Sequence, residues 1–255
     1  MIEKWGIPVT PITGKAPRTV YVYLPAEAER DPEARFPVLY MFDGHNVFFD
    51  EDATYGKSWG MGDYLDYTDT PLIVVAVDCN HRPPRGRLSE YSPFTFQADG
   101  FGRVIGRGKK FMDWLCYTLK PLIDARYPTL PGRETTFIAG SSMGGLMSLY
   151  AVTAYNHVFS RAAALSPSVW IVDGRMAELI RKTSYQPGTV VYMDYGSREM
   201  GNHQGMRRCF VDTADALAEQ GVLLACRIVP NGDHCEASWE EQIPFFMPVL
   251  FYERE

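Results

Sequence analysis

The sequence predicts an α/β fold, with a mostly parallel central sheet flanked by helices in a single domain over residues 1–255. Three observations carry that expectation. Short β-branched apolar runs alternate with helical patterns along the whole chain. Several of these runs are apolar at every position, as strands covered on both faces must be. At 255 residues the chain is also long enough to bury a sizeable core without disulfide or metal staples.

The elements follow in order. Arg18 to Leu24 alternates Val20 and Val22 with Tyr21 and Tyr23 until Pro25 stops the strand. Ala26 to Arg35 is charged and reads as a turn. Pro37 to Phe42, Leu72 to Val77 and Thr136 to Ala139 read as buried strands. Phe111, Leu115, Leu119, Leu122 and Ile123 recur at helical spacing, and Met143 to Tyr155 is a second helical stretch. Ala162 to Leu165, Val190 to Met193 and Leu223 to Val229 read as further strands, with a helix from about Met206 to Gln220 between the last two. Ala237 to Phe251 reads as a final helix that Pro244 and Pro248 kink. The Arg/Gly/Pro-rich stretch from Asn80 to Lys110 breaks the alternation and reads as a long loop.

Composition excludes several classes. The net charge is −6 with no Lys/Arg block, which argues against nucleic-acid or anionic-membrane partners. No apolar run approaches a membrane span. Met1 to Pro8 lacks the basic-then-apolar pattern of a signal peptide. Five cysteines, an odd count with no C-x-x-C pair, read as free thiols in a reducing compartment, so a cytoplasmic location is expected. No His/Cys spacing suggests a metal, and no cofactor signature holds: Gly56-Lys57-Ser58 has Glu51 where a phosphate loop needs glycine.

The sharpest motif is Gly140-Ser141-Ser142-Met143-Gly144, a Gly-x-Ser-x-Gly pentapeptide between a strand and a helix. Small residues let a sharp turn expose the Ser142 hydroxyl at the sheet edge, while the helix N-terminus favours negative charge there. A serine needs a base to attack at neutral pH. His203 and His234 follow Ser142; His234, in the turn-rich loop after the last strand, is preferred. The acid that orients the imidazole should follow the strand Val190 to Met193. Glu199 lies in the loop and is preferred over Asp194, which continues the strand. The oxyanion donors expected are the amides of Met143 and His45.

Taken with other markers, these residues resemble the Putative esterase (esterase D-like) branch of the α/β-hydrolases. The markers are Arg18 to Pro25, Tyr40 to Asn46, Ser58-Trp59-Gly60, Glu90-Tyr91-Ser92-Pro93, Gly140 to Gly145, Ser166 to Trp170, Gly196 to Glu199, and Gly232-Asp233-His234 with Trp239. That branch includes feruloyl and acetyl xylan esterases, siderophore esterases, S-formylglutathione hydrolase and the antigen 85 mycolyltransferases. The resemblance implies an α/β-hydrolase fold, a catalytic set of Ser142, His234 and Glu199, an oxyanion hole from Met143 and His45, and no cofactor. It also implies that Trp59 and Trp170 flank a substrate pocket, and Asn46 is a further substrate-binding candidate. The expected activity is hydrolysis of an acetyl or feruloyl ester on carbohydrate, or of a small ester. A siderophore esterase or acyltransferase is the alternative, and a non-catalytic ligand-binding domain is the alternative of another class. The expected partner is a small-molecule or oligosaccharide ester; homo-oligomerisation is left open.

Overall fold

The computed structural model describes residues 1–252 apart from 99 and 101. The described residues form ten strands: β1 (Ile2–Pro8), β2 (Pro17–Tyr23), β3 (Val38–Phe42), β4 (Ile73–Val77), β5 (Phe96–Ala98), β6 (Gly102–Val104), β7 (Thr136–Ser141), β8 (Arg161–Leu165), β9 (Val190–Gly196) and β10 (Leu223–Val229). Eight form one sheet in the order β1-β2-β4-β3-β7-β8-β9-β10; β5 and β6 form a separate hairpin. From β4 to β10 neighbours run parallel, while β1 and β2 pair antiparallel at one edge.

Side-chain alternation along the strands divides the core in two. Val38, Tyr40 and Phe42 of β3 point to one face, Leu39 and Met41 to the other, and all are buried. The first face is covered by helical segments 108–126, Met143–Ala154, Arg175–Arg181 and Met206–Glu219, the second by Met61–Thr68 and Ile243–Leu250. Central strands therefore read as continuous apolar runs, and Met143–Ala154, buried along nearly its whole length, is apolar on every side.

The departures from the sequence reading have local causes. The edge strand β1 is half-exposed, with Lys4, Gly6 and Pro8 at its exposed alternate positions, so it shows no apolar run. The final helix is two, Glu236–Glu240 and Ile243–Leu250. Pro244 sits in the first turn of the second, where its missing N–H has no helical partner to lose. The long loop contains a short helix, Gly86–Glu90, and the β5–β6 hairpin, with 99 and 101 outside the described residues. It is anchored by a buried bidentate pair, Arg18 Nη1 and Nη2 to the Glu90 carboxylate at 2.8 and 3.1 Å. Among the described residues, no helix is long and apolar enough to cross a membrane.

Candidate active site

The parallel strands end along one edge, and the loops that follow them build the site. β7 runs into Ser142, whose backbone takes φ 58°, ψ −120°, a strained conformation held by its surroundings. Ser142 N–H donates to Leu165 O at 2.9 Å, and Ser142 O accepts from Ser168 N and Leu146 N at 3.0 Å each. The turn is tight enough that a Cβ on Gly140 would sit 2.9 Å from the Gly144 carbonyl carbon. The Gly-x-Ser-x-Gly spacing is thus a packing requirement. Ser142 Oγ lies 3.4 Å from Ser168 Oγ, a hydroxyl on the loop after β8.

His234 stands on the loop between β10 and Glu236–Glu240, with its side chain 38% exposed. Its Nδ1 is 2.5 Å from Glu199 Oε2. Glu199 is 1% exposed. Its other oxygen accepts from Ser166 Oγ at 2.5 Å and Gly196 N–H at 2.7 Å. A buried carboxylate needs such donors to remain charged beside the imidazole. The two loops are locked together by backbone contact. A Cβ on Gly196 would fall 2.3 Å from Gly232 O, and Arg198 N–H donates to that same oxygen at 3.1 Å. Asp194 does not touch His234. It accepts from Tyr192 Oη at 2.7 Å and Ser166 N–H at 3.2 Å. Burial pushes its pKa up to about 6, with those two donors opposing the shift.

Met143 is the first residue of its helix, where the N–H groups have no partner in a preceding turn. His45 lies in a 3₁₀ turn, Gly44–Asn46, directly after β3, entered through a left-handed Asp43 (φ 56°). The ring of His45 is flanked at both nitrogens: Nε2 is hydrogen-bonded to Thr54 Oγ1 at 2.9 Å, and Nδ1 lies 2.6 Å from Asp78 Oδ1 without hydrogen-bond alignment. What His45 has left to offer a substrate is its backbone amide.

These residues open onto two clefts that share Ser142, His234 and Arg87. The larger, about 580 Å³, has a polar wall of Asn80, His81, Arg82 and Arg85. The smaller, about 330 Å³, is lined by Leu88, Met143, Trp170, Ile171 and Met206.

A sequence model of the Putative esterase family matches residues 13–246. The chain belongs to that family. It is a carboxylic-ester hydrolase with the α/β-hydrolase architecture. The esterase is 26% identical over 194 residues to the uncharacterized protein YbbA of Bacillus subtilis (strain 168), covering 75% of this chain and 72% of that one. It is 23% identical over 174 residues to the siderophore triacetylfusarinine C esterase of Aspergillus fumigatus, covering 64% and 56%. Its fold is similar to that of a ferulic acid esterase (TM-score 0.72, 15% identity, 98% and 97% of the two chains). It is also similar to the siderophore hydrolase EstA from Aspergillus nidulans (TM-score 0.69, 19% identity, 96% and 93%). An S-formylglutathione hydrolase from Agrobacterium tumefaciens gives TM-score 0.70 at 15% identity over 98% and 93%.

One residue of the esterase lies elsewhere than its motif implied. Trp59 is 3% exposed and packs on Trp239 and Phe246 in the second core, because its indole finds more apolar contact there than on a cleft wall. It buttresses Trp239, whose ring meets His234 edge to face at 5.0 Å and whose Nε1–H donates to Ser166 Oγ at 3.1 Å. Trp170 does line the apolar cleft, stacked on His203 at 3.8 Å between centroids. Asn46 lines the polar cleft, but its amide is already used, donating to Glu236 Oε1 at 3.0 Å and accepting from Thr54 N–H at 3.0 Å. Ser166 and Ser168 had no assigned part in the sequence reading. The Ser166-Pro167-Ser168 string was the available signal, and only the fold shows that its hydroxyls face the acid and the nucleophile.

Proposed function

We propose that this esterase works through an acyl-enzyme on Ser142. Ser142 Oγ attacks the ester carbonyl, and His234 Nε2 takes its proton. The amides of Met143 and His45 hold the oxyanion. The proton then passes from His234 to the departing alkoxide, the alcohol leaves, and water attacks the acyl-enzyme with His234 as base. The observation that carries this reading is the Glu199–His234 hydrogen bond beside a serine in a strained strand-to-helix turn. Glu199 fixes the Nδ1–H tautomer, leaves Nε2 free as base, and stabilises the imidazolium that forms.

The two clefts support a division of the substrate. The apolar cleft with Trp170 suits an acyl group, from acetyl up to an aromatic acid such as feruloyl. The cleft with Arg82 and Arg85 suits a polar alcohol portion, as an acylated oligosaccharide has. An enterochelin-type siderophore ester is the second reading, favoured by the Arg85 guanidinium, which has no carboxylate partner among the described residues and suits an anionic catecholate. Five free cysteines support a cytoplasmic location and hence an imported or endogenous ester. The test is hydrolysis of p-nitrophenyl acetate and butyrate, acetylated and feruloylated xylo-oligosaccharides, and a tricatecholate siderophore ester by wild type and Ser142→Ala. Turnover by wild type alone is expected, with the oligosaccharide esters ahead. Equal rates for the two proteins would refute the Ser142 mechanism, and preference for the siderophore would replace the carbohydrate reading.

A further inference from the structure

A second group of chemically capable side chains lies beside the catalytic array, on the wall of the polar cleft. β4 ends at Val77, and the chain continues Asp78-Cys79-Asn80-His81. Asp78 Oδ1 is 2.6 Å from His45 Nδ1 and 2.8 Å from His81 Nε2. Cys79 Sγ is 3.8 Å from His81 Nε2. One donor atom from each of His45, Asp78, Cys79 and His81 lies within 4.8 Å of all the others. The four come from two loops that the sheet brings side by side, since β3 and β4 pair in parallel. Linear spacing groups Asp78, Cys79 and His81 but not His45, 33 residues earlier.

The donor types decide the ion. Two imidazoles, a carboxylate and a thiol form the mixed N, O and S set of a tetrahedral zinc-class cation, whereas magnesium and calcium take oxygen. Bonds of about 2.0–2.3 Å place the ligands of such an ion roughly 3.3–3.7 Å apart. The present separations bracket that range, so sub-ångström to about ångström side-chain shifts would close the shell. His45 and Cys79 are buried, while the His81 side chain is 59% exposed, which leaves a path to the ion from the cleft. Thr54 Oγ1 stands beside His45 Nε2 and can accept its proton when Nδ1 turns to a metal.

We propose that His45, Asp78, Cys79 and His81 form a site for one zinc-class divalent cation at the wall of the substrate cleft. On binding, the Cys79 thiol gives its proton to solvent, and His45 takes the Nε2–H tautomer, with Nδ1 turned to the ion. Carboxylate and thiolate together balance the charge of the ion. The bound ion ties the loop of His45 to the arginine-rich segment that begins at His81. A change in metal occupancy therefore acts on the same wall that receives substrate.

The experiment titrates full-length, chelator-stripped protein with Co²⁺ and then Zn²⁺. Expected is one equivalent of Co²⁺ with a thiolate-to-cobalt charge-transfer band, displaced by Zn²⁺. Even an outer partner of a metal ligand is worth about 10–100-fold in affinity, so His81→Ala should weaken Zn²⁺ at least that much. Cys79→Ser should abolish the charge-transfer band. No saturable binding, tight binding unchanged in His81→Ala, or a cobalt spectrum without the thiolate band would each overturn the site. Zinc held instead by His234 and Cys235 would persist in His81→Ala and counts as such a failure. If the buried Cys79→Ser variant does not fold, the exposed His81→Ala variant decides. None of these readouts depends on turnover, so failure here leaves the Ser142 mechanism untouched.

Discussion

Glu199 and Asp194 are two buried carboxylates five residues apart that share Ser166 as a neighbour, yet they have different work. Glu199 holds His234 and two further donors; Asp194 holds Tyr192 and a backbone amide. Glu199→Gln should lower kcat by about 10³-fold, because a neutral amide neither stabilises the imidazolium nor fixes its tautomer. Asp194→Asn should leave kcat within a few-fold. Steady-state kinetics on p-nitrophenyl acetate compares the two, and the reverse ranking would move the acid to Asp194. Asp194 has a stability signature instead. Its folded pKa is raised from 3.8 to about 6, so the folded state binds the proton more tightly than the unfolded chain. Its contribution is present in full below about pH 4 and is lost as pH rises towards 6, amounting to at most about 3 kcal/mol. Urea unfolding from pH 4 to 7 should therefore show Asp194→Asn gaining on wild type as pH rises. Parallel curves would show that Asp194 is charged throughout.

Loop-to-loop contact carries the catalytic geometry at the scale of elements. The turn after β9 and the loop after β10 touch through Gly196 and Gly232, and the Glu199–His234 bond depends on that closeness. Gly196→Ala should separate them and cost about 10²-fold in kcat/KM, the usual penalty for an ångström of misplacement, along with a lower Tm. A variant with wild-type kinetics would show that the loops are not coupled in this way. Most of this architecture was legible in the sequence, because buried parallel strands write themselves as apolar runs and a nucleophile elbow needs small residues at fixed offsets. Ser142 was read from its Gly-x-Ser-x-Gly motif, and strand order then preferred His234 over His203 and Glu199 over Asp194. Trp59 was expected at the pocket and lies in the core, since the same aromatic suits either place and only its packing on Trp239 and Phe246 distinguishes them. The cluster around Asp78 was incomplete in the sequence because its fourth member, His45, joins Asp78, Cys79 and His81 only across the β3–β4 pairing. β1 was hidden because its exposed positions are Lys4, Gly6 and Pro8, which write no apolar or β-branched run.

For the whole molecule, one eight-stranded sheet with a core on each face presents the loops of Ser142, Glu199 and His234 where a more polar and a more apolar cleft meet. The buried Arg18–Glu90 pair fastens the arginine-rich segment, which forms one wall, to β2. Glu90→Ala would strand a buried guanidinium and should cost about 3–5 kcal/mol in chemical denaturation. A loss below about 1 kcal/mol would mean that the wall is held by other contacts. Arg85 faces the polar cleft, so Arg85→Ala should raise KM for esters of acidic alcohols by about tenfold while leaving kcat and neutral esters little changed. A uniform change across both ester types would remove Arg85 from substrate recognition.

Activation of one serine is the central claim, and a covalent probe reads it directly. Wild-type protein and Ser142→Ala should be treated with a fluorophosphonate, weighed intact by mass spectrometry and then mapped by peptide. One adduct per wild-type chain, on Ser142, and none on the variant is the result this account predicts. An adduct on another residue, or equal labelling of the two proteins, would contradict it.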